Sequence, residues 1–485
     1  MAKSIKKNYI FNIILSISKV IFPLITAPYV ARVLEPDGLG LFNFANTYAG
    51  YFGLVAALGI PIYGIREIAK CNNDLKQQEK LFSEIFSLSI ISTLICVVIF
   101  VMSVLVISRL NENYLIFFTV GIVLYLTPFK IDWFFSGKEE FGYITYRSVL
   151  IKTLSVILLF SLVHDKDDLI IYVLIYALSQ VVNELWNFLK LLNIGIKPFF
   201  TLNISNHLTP LLLLFSSSIA VSLYTVLDTI MLGFIKDYSE VGFYNCASSM
   251  SKVLVPIVTS MAVVAMPRLS NYHESQDWDK ISCLMNKSLS LVCFLSFPLA
   301  VGIFILSPVF VPLFFGADYC GAIVPLQIIV FIIISIGLNN LLGIQLMGSL
   351  GYDKYLLTSI SIGAAINIVL NCLFIPLLGA IGACISSLCA ETSIVLVMLI
   401  YVYKLTPIRF GIREILLDFL AILPFFPLSI SIRYIFDGWN FVFFFIITAS
   451  TLYFILQLLL KNSSLLYLLK SVPFVKNIKL FKNGN

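Results

Sequence analysis

Charge is scarce in this sequence. Only 12% of its 485 residues are Asp, Glu, Lys or Arg, about half of what a soluble domain carries. No linker reaches the roughly 50 residues that an independent soluble domain needs. The nucleotide-cradling pattern GxxxxGK[ST] is absent, so the chain holds no phosphate-binding loop for ATP hydrolysis. Nine cysteines are scattered without a C-x-x-C pair, and most lie in apolar stretches as small packing residues. His164, His207 and His273 read as isolated loop residues with no metal-ligand spacing. The single acidic cluster, Asp165-Lys166-Asp167-Asp168, reads as a solvated turn. A membrane glycosyltransferase would be expected to carry loop carboxylates, and none stands out. No cofactor or metal is therefore expected. The net charge of +6 is dispersed and does not point to nucleic acid.

What is abundant is apolar surface. Hydrophobic residues make up 59% of the chain, and the mean hydropathy is +0.98. A globule of this size cannot hide that surplus, so the expectation is an all-α polytopic membrane protein. About 20 apolar residues make one crossing. On that rule fourteen spans are expected, near 9–33, 39–64, 82–107, 114–136, 143–163, 169–192, 209–234, 242–266, 285–307, 322–346, 355–376, 379–403, 414–435 and 439–460. The first is a retained span rather than a cleaved leader, because its apolar run shows no A-x-A-like site. Lys and Arg then set the orientation. Arg32, Arg109, Lys166, Lys236 and Arg433 fall in outer loops and roughly 23 others in cytoplasmic segments, which puts both termini in the cytoplasm. The linkers 66–81, 193–208 and 267–284 are each long enough for one amphipathic surface helix, and 464–480 reads as interfacial.

The chain also repeats itself. Gly40-Leu41-Phe42-Asn43-Phe44-Ala45 is echoed by Gly242-Phe243-Tyr244-Asn245-Cys246-Ala247. A second pair, Trp133 to Tyr143 and Gln345 to Tyr355, shares an apolar helix end, a Gly, a polar turn and an aromatic. These offsets lay six spans over the next six, with both halves starting on the same side. Parallel repeats about an axis along the membrane normal follow. The expected organisation is a six-helix lobe over 1–195, a second over 196–405, an additional helix pair over 406–460 and a basic interfacial tail over 461–485.

Ionisable groups at membrane depth cost on the order of 2.5–3.5 kcal/mol on insertion scales and usually face a cavity. Lys130, Lys152, Lys190 and Arg147 lie near expected cytoplasmic ends, where snorkelling explains them. Lys19, Lys252 and Asp228 lie deeper, and Glu184 and Glu391 are also intramembrane. Two readings stand for the deep group: a structural pair, Lys19–Asp228 or Lys252–Asp228, or a cationic cavity for an anionic substrate. Pro23, Pro28, Pro256 and Pro298 mark bends that either gate the bundle or are merely tolerated.

One stretch carries a resemblance. Pro28-Tyr29-Val30-Ala31-Arg32-Val33-Leu34, Gly38 to Phe44, and Tyr63-Gly64-Ile65-Arg66-Glu67-Ile68-Ala69 resemble the N-terminus of O-antigen and capsule repeat-unit flippases of the Wzx type. These are polysaccharide transporters of the multidrug/oligosaccharidyl-lipid/polysaccharide exporter superfamily. Trp133-Phe134-Phe135-Ser136-Gly137-Lys138-Glu139 resembles the same family's helix-four signature, which often has Gln where Ser136 stands. The clear matches cover roughly the first 150 residues. The resemblance implies a MATE-like two-lobed bundle in the bacterial inner membrane that works by alternating access, with no enzymatic activity. Its implied substrate is an undecaprenyl-diphosphate-linked oligosaccharide, and its partners are membrane lipids and polysaccharide polymerase and chain-length proteins. Lys19, Arg32 and Lys252 are then candidates for the diphosphate. Arg66 either binds a phosphate or caps its helix. Asp228 or Glu391 is the candidate for ion coupling. Two rival readings are a drug–cation antiporter, which predicts an acidic cavity, and an integral glycosyltransferase or polymerase.

Overall fold

In a computed structural model the described residues are 5–71, 74–203, 205–460, 462 and 465, with backbone alone described at 5–6, 213–214, 216–225 and 261–264. All regular structure among them is helical. That outcome follows from hydrocarbon, where each backbone N–H and C=O must find its partner within the chain. The expected interfacial stretch 464–480 and the basic tail lie almost wholly outside the described residues.

The long helices are α1 (Ile5–Ala57), α2 (Ile60–Lys70), α3 (Leu75–Val106), α4 (Phe141–Leu162), α5 (Leu169–Asn193), α6 (Ser205–Ile235) and α7 (Tyr238–Glu274). They continue with α8 (Trp278–Phe315), α9 (Asp353–Leu378), α10 (Ala380–Leu405), α11 (Ile412–Ile422), α12 (Phe425–Ile435) and α13 (Gly438–Leu459). Shorter helices fill 108–137 and 317–347. Among the described residues ten helical segments are long and apolar enough to cross a membrane, or twelve when two bent pairs each count as one.

The expected fourteen differ from this number at two places. Residues 7–70 count as one 64-residue segment, yet at 1.5 Å per residue this is about three times the ~30 Å hydrocarbon thickness. It is broken at Glu35 (φ 57, ψ 173), where the following Pro36 forbids the helical conformation. Two crossings meet there, at the turn that Glu35-Pro36-Asp37-Gly38 announces. The second place is α6, which overlies the seventh expected span but counts only through Val226–Ile235. The tight turn expected near Leu377 is also present: α9 ends at Leu378, and Gly379 takes φ 57 before α10 begins.

Three linker expectations are corrected. Among the described residues, 66–81 hold the end of the short helix α2 and the start of α3, and 267–284 hold no separate surface helix, because α7 and α8 run on into them. Asp74 caps α3 through Lys76 N and Gln77 N, and Asp277 caps α8 through Lys280 N. Residues 196–203 are not helical. The Lys197, Phe199 and Thr201 amides donate to Glu79 Oε1 (2.9 Å), Ser83 Oγ (3.2 Å) and Ser87 Oγ (3.0 Å) on α3. Two extended residues advance about 6.6 Å and four helical ones about 6 Å, so the two periods match.

The chain divides into two compact units, Met1–Gly242 and Phe243–Asn485. In the first, the two signature stretches pack on one another through their glycines. A Cβ on Gly64 would enter the Trp133 indole, and one on Gly137 would meet Ile65 O and Ile68 at 3.0 Å. Tyr63, Ile68, Phe82, Trp133, Phe134 and Phe135 form one buried cluster there. The first repeat motif also meets the start of its echo. Gly40 lies against the backbone of Tyr238, and Gly242 lies against that of Pro36. Pro36 and Tyr238 each precede their own glycine by four residues, so the contact is reciprocal, as around a local two-fold. In the second unit α11 and α13 pack on α8 around Phe294, Ala421, Phe425, Phe441, Phe445 and Tyr453.

Candidate functional site

Within the first unit α1, α4 and α5 enclose a cavity of about 400 Å³. Its polar lining begins with Lys19 and Lys152. Lys19 sits one turn before Pro23, whose missing N–H leaves the Lys19 carbonyl without its usual helical donor. Lys152 reaches across from α4 and holds its ammonium 5.8 Å from the Phe22 ring centroid. Among the described residues no carboxylate lines the cavity. Neither lysine takes part in an ion pair among the described residues. Thr26, Ser148, Ser179 and Gln180 add hydroxyl and amide groups, and Tyr172 and Tyr176 add aromatic walls. Chemically this is a receptacle for an anion that also carries hydroxyl groups.

The cavity's inner wall is fixed by a polar network. Asn183 lines the cavity and accepts from Arg147 Nε at 3.0 Å. Arg147 Nη2 donates to Asp132 Oδ1 at 2.7 Å, and Asn187 donates to the same oxygen at 2.8 Å. Asn183 in turn donates to Glu184 Oε1 at 3.0 Å. Arg147 is fully buried and lies over the Tyr143 ring. The snorkelling expectation for Arg147 is therefore corrected: its charge is held inside by Asp132 and two asparagines. Lys152 likewise belongs to the cavity. Lys130 donates to Val123 O at 2.7 Å beside a second cavity of about 340 Å³ lined by Trp133 and Phe86. Lys190 rests over Tyr143.

The other expected site residues lie elsewhere. Arg32 is exposed near the end of the first stretch of α1, and Arg66 is exposed beside Glu67 at 3.2 Å. Neither lines the Lys19 cavity. Asp228 is buried on α6, and no ion pair joins it to Lys19 among the described residues. In the second unit Lys252 is exposed on α7 and acts electrostatically on Glu391 of α10. Glu391 is buried and accepts from the Asn339 amide. Of the six expected residues, one therefore lines the cavity, and its partner there, Lys152, has an interfacial explanation in the sequence. The histidine expectation also changes. His207 lies in the first turn of α6, buried between Tyr63 OH (2.7 Å) and Glu84 Oε2 (2.9 Å). The sequence conceals this because both partners lie more than 100 positions away.

Comparison with known proteins places this geometry among transporters. Among solved structures, the lipid II flippase MurJ in an inward closed conformation superposes with a TM-score of 0.74 over 94% of this chain and 99% of that one, at 16% identity. An inward-facing multidrug resistance MATE family transporter of the MOP superfamily gives 0.61 over 79% and 93%, at 15% identity. At those identities the likeness concerns the fold, which is MATE-like. By sequence, an Escherichia coli (strain K12) protein named "Putative O-antigen transporter" is 25% identical over 82% of this chain and 97% of its own length. The lipopolysaccharide biosynthesis protein WzxC of the same strain is 27% identical over 46% of each chain. The profile of one family, described as polysaccharide biosynthesis protein, matches residues 5–273. With more than half its length matched, this chain belongs to the polysaccharide biosynthesis protein family.

Proposed function

We propose that this protein is a flippase. It moves an undecaprenyl-diphosphate-linked oligosaccharide, an O-antigen or capsule repeat unit, from the inner to the outer leaflet of a bacterial inner membrane. The observation that carries the reading is the cavity of about 400 Å³ lined by two lysines and no carboxylate. A diphosphate brings two negative charges and many acceptor oxygens, and Lys19 and Lys152 bring matching cations into a low-dielectric setting. The hydroxyl and amide groups beside them suit sugar. A drug–cation antiporter would need acidic groups in that place. A polymerase would need carboxylates positioned for sugar transfer.

The crossing proceeds by alternating access. In this reading, residues 1–195 and 196–405 act as two six-helix lobes, with 406–460 as an additional pair and both termini cytoplasmic. Arg32, Arg66 and Lys252 are assigned to phosphate at other stages of the passage. Asp228 or Glu391 is the carboxylate assigned to ion coupling. The substrate would pass to polymerase and chain-length proteins on the outer face.

The test is deletion of the gene, followed by location of the lipid-linked repeat unit. Build-up on the cytoplasmic leaflet supports the flippase. Unpolymerised units on the outer face would overturn it. Lys19→Ala and Lys252→Ala should each lower surface polysaccharide at unchanged protein level.

A further inference from the structure

The second unit buries a carboxylate that the transport reading leaves unused. Asp418 lies on α11 with 0% exposure, walled by α8 and α13. Its Oδ1 accepts from Gln457 Nε2 at 2.8 Å and from Asn462 Nδ2 at 2.9 Å. Tyr453 OH lies 3.4 Å from the same oxygen, but the Phe294 carbonyl is nearer to that hydroxyl, at 3.0 Å. One hydroxyl proton cannot serve both fully. Among the described residues Asp418 Oδ2 is buried with no donor, and so is the neighbouring acceptor, Gln457 Oε1. The pocket therefore has more buried acceptors than donors.

The titratable groups facing it do not correct this. They are Glu414, one turn earlier on α11, Tyr453 on α13 and Cys293 on α8. Among the described residues none is a cation, and Asp418 forms no ion pair. A buried carboxylate without a counter-charge usually neutralises rather than stays ionised. Sodium is a poor fit. Only two oxygens are open, whereas a hard cation wants about six.

We propose that Asp418 is a proton-binding site: its carboxylate takes one proton from water onto Oδ2. One O–H bond forms, the group passes from −1 to neutral, and no other bond changes. The proton supplies the donor that the pocket lacks and seals α11 and α13 onto α8. Loosening of that helix pair would open the site and release the proton. The inference concerns the packing of the second unit and stands whether or not the Lys19 cavity binds diphosphate.

The test compares wild type with Asp418→Asn, which mimics the neutral acid, as full-length protein in lipid nanodiscs. An unfolded chain gives this proton up in mildly acidic water, so folding retains a proton and wild-type stability falls as pH rises. The variant has no such proton. The expected result is near-equal melting temperatures below about pH 4, where the unfolded carboxyl is also protonated, and a gap of a few degrees in favour of the variant at about pH 9. An infrared carbonyl band of a neutral carboxylic acid should be present in wild type at neutral pH and absent from the variant. A variant destabilised equally at every pH, or unable to fold, overturns the proposal, because it shows that the charged form holds the helices together. A missing acid band also overturns it. So does stabilisation by sodium over potassium at fixed ionic strength, which would mark a metal-ion site.

Discussion

Two regions of this molecule gather charge without a counter-charge, one open and one buried, and they do so with opposite signs. The Lys19–Lys152 cavity in the first unit holds two cations and no acid. The Asp418 pocket in the second holds an acid and no cation among the described residues. The first is hollow and the second is closed by amides and a tyrosine. That difference decides how each excess is met. An open cavity can accept a counter-charge as a ligand. A closed one has room only for a proton.

The network at Arg147 is the internal standard. Arg147 is fully buried, and its charge is matched within the chain by Asp132 at 2.7 Å, whose own side chain is half exposed. Its Nη1 still lacks an acceptor among the described residues, but the charge is met, so the network reads as a scaffold for the cavity wall.

The largest break concerns the scaffold. Gly64→Leu would drive a side chain into Trp133, and overpacking of this kind costs about 1–3 kcal/mol or more. Loss of folded protein in membranes, seen by size-exclusion of the solubilised chain, is the expected outcome. Next is the cavity. Lys19→Ala with Lys152→Ala removes two charge-assisted contacts of about 1.5–3 kcal/mol each. Binding of a lipid diphosphate should fall at least about 100-fold, and each single change about tenfold. Export at the wild-type rate in the double variant would return the cavity to a packing defect. A weaker break tests the clip on α3. Ser83→Ala with Ser87→Ala removes acceptors for two linker amides, at about 0.5–1.5 kcal/mol each. Faster hydrogen exchange at Phe199 and Thr201 should follow, with transport retained. The smallest stability effect is expected at Arg66→Ala, whose ion pair is exposed and worth at most about 1 kcal/mol. Reduced export at unchanged stability would assign Arg66 to phosphate, and no change in either would leave it as a helix-end charge.

Much of this is legible in the amino-acid sequence. The turn at Glu35-Pro36, the hairpin at Gly379 and the spans themselves are written in local chemistry. The echo of Gly40 at Gly242 is visible there as well, but not that each glycine packs against the other's chain. The two family-like signatures suggest a functional motif, whereas Gly64 and Trp133 meet as a packing joint. Position along the chain also misleads. Arg147 sits within two turns of the start of α4, which is where snorkelling arginines sit, whereas Lys152 lies at its middle. Asp418 lies a few residues inside its span, close enough to an expected interface to escape notice, although an acid in an apolar run is itself a signal.

By itself, then, the amino-acid sequence determined that this chain enters a membrane, that it does so as helices and roughly where each one turns. Hydrocarbon leaves a backbone few options, and Pro and Gly restrict the remainder one residue at a time. Which face of each helix meets which neighbour was decided only by tertiary packing. That choice put Lys152 beside Lys19, turned Arg147 inward to Asp132 and gathered Gln457 and Asn462 around Asp418. These are contacts between residues far apart in the chain, and apolar patterning, nearly uniform around each helix, carries little information about them.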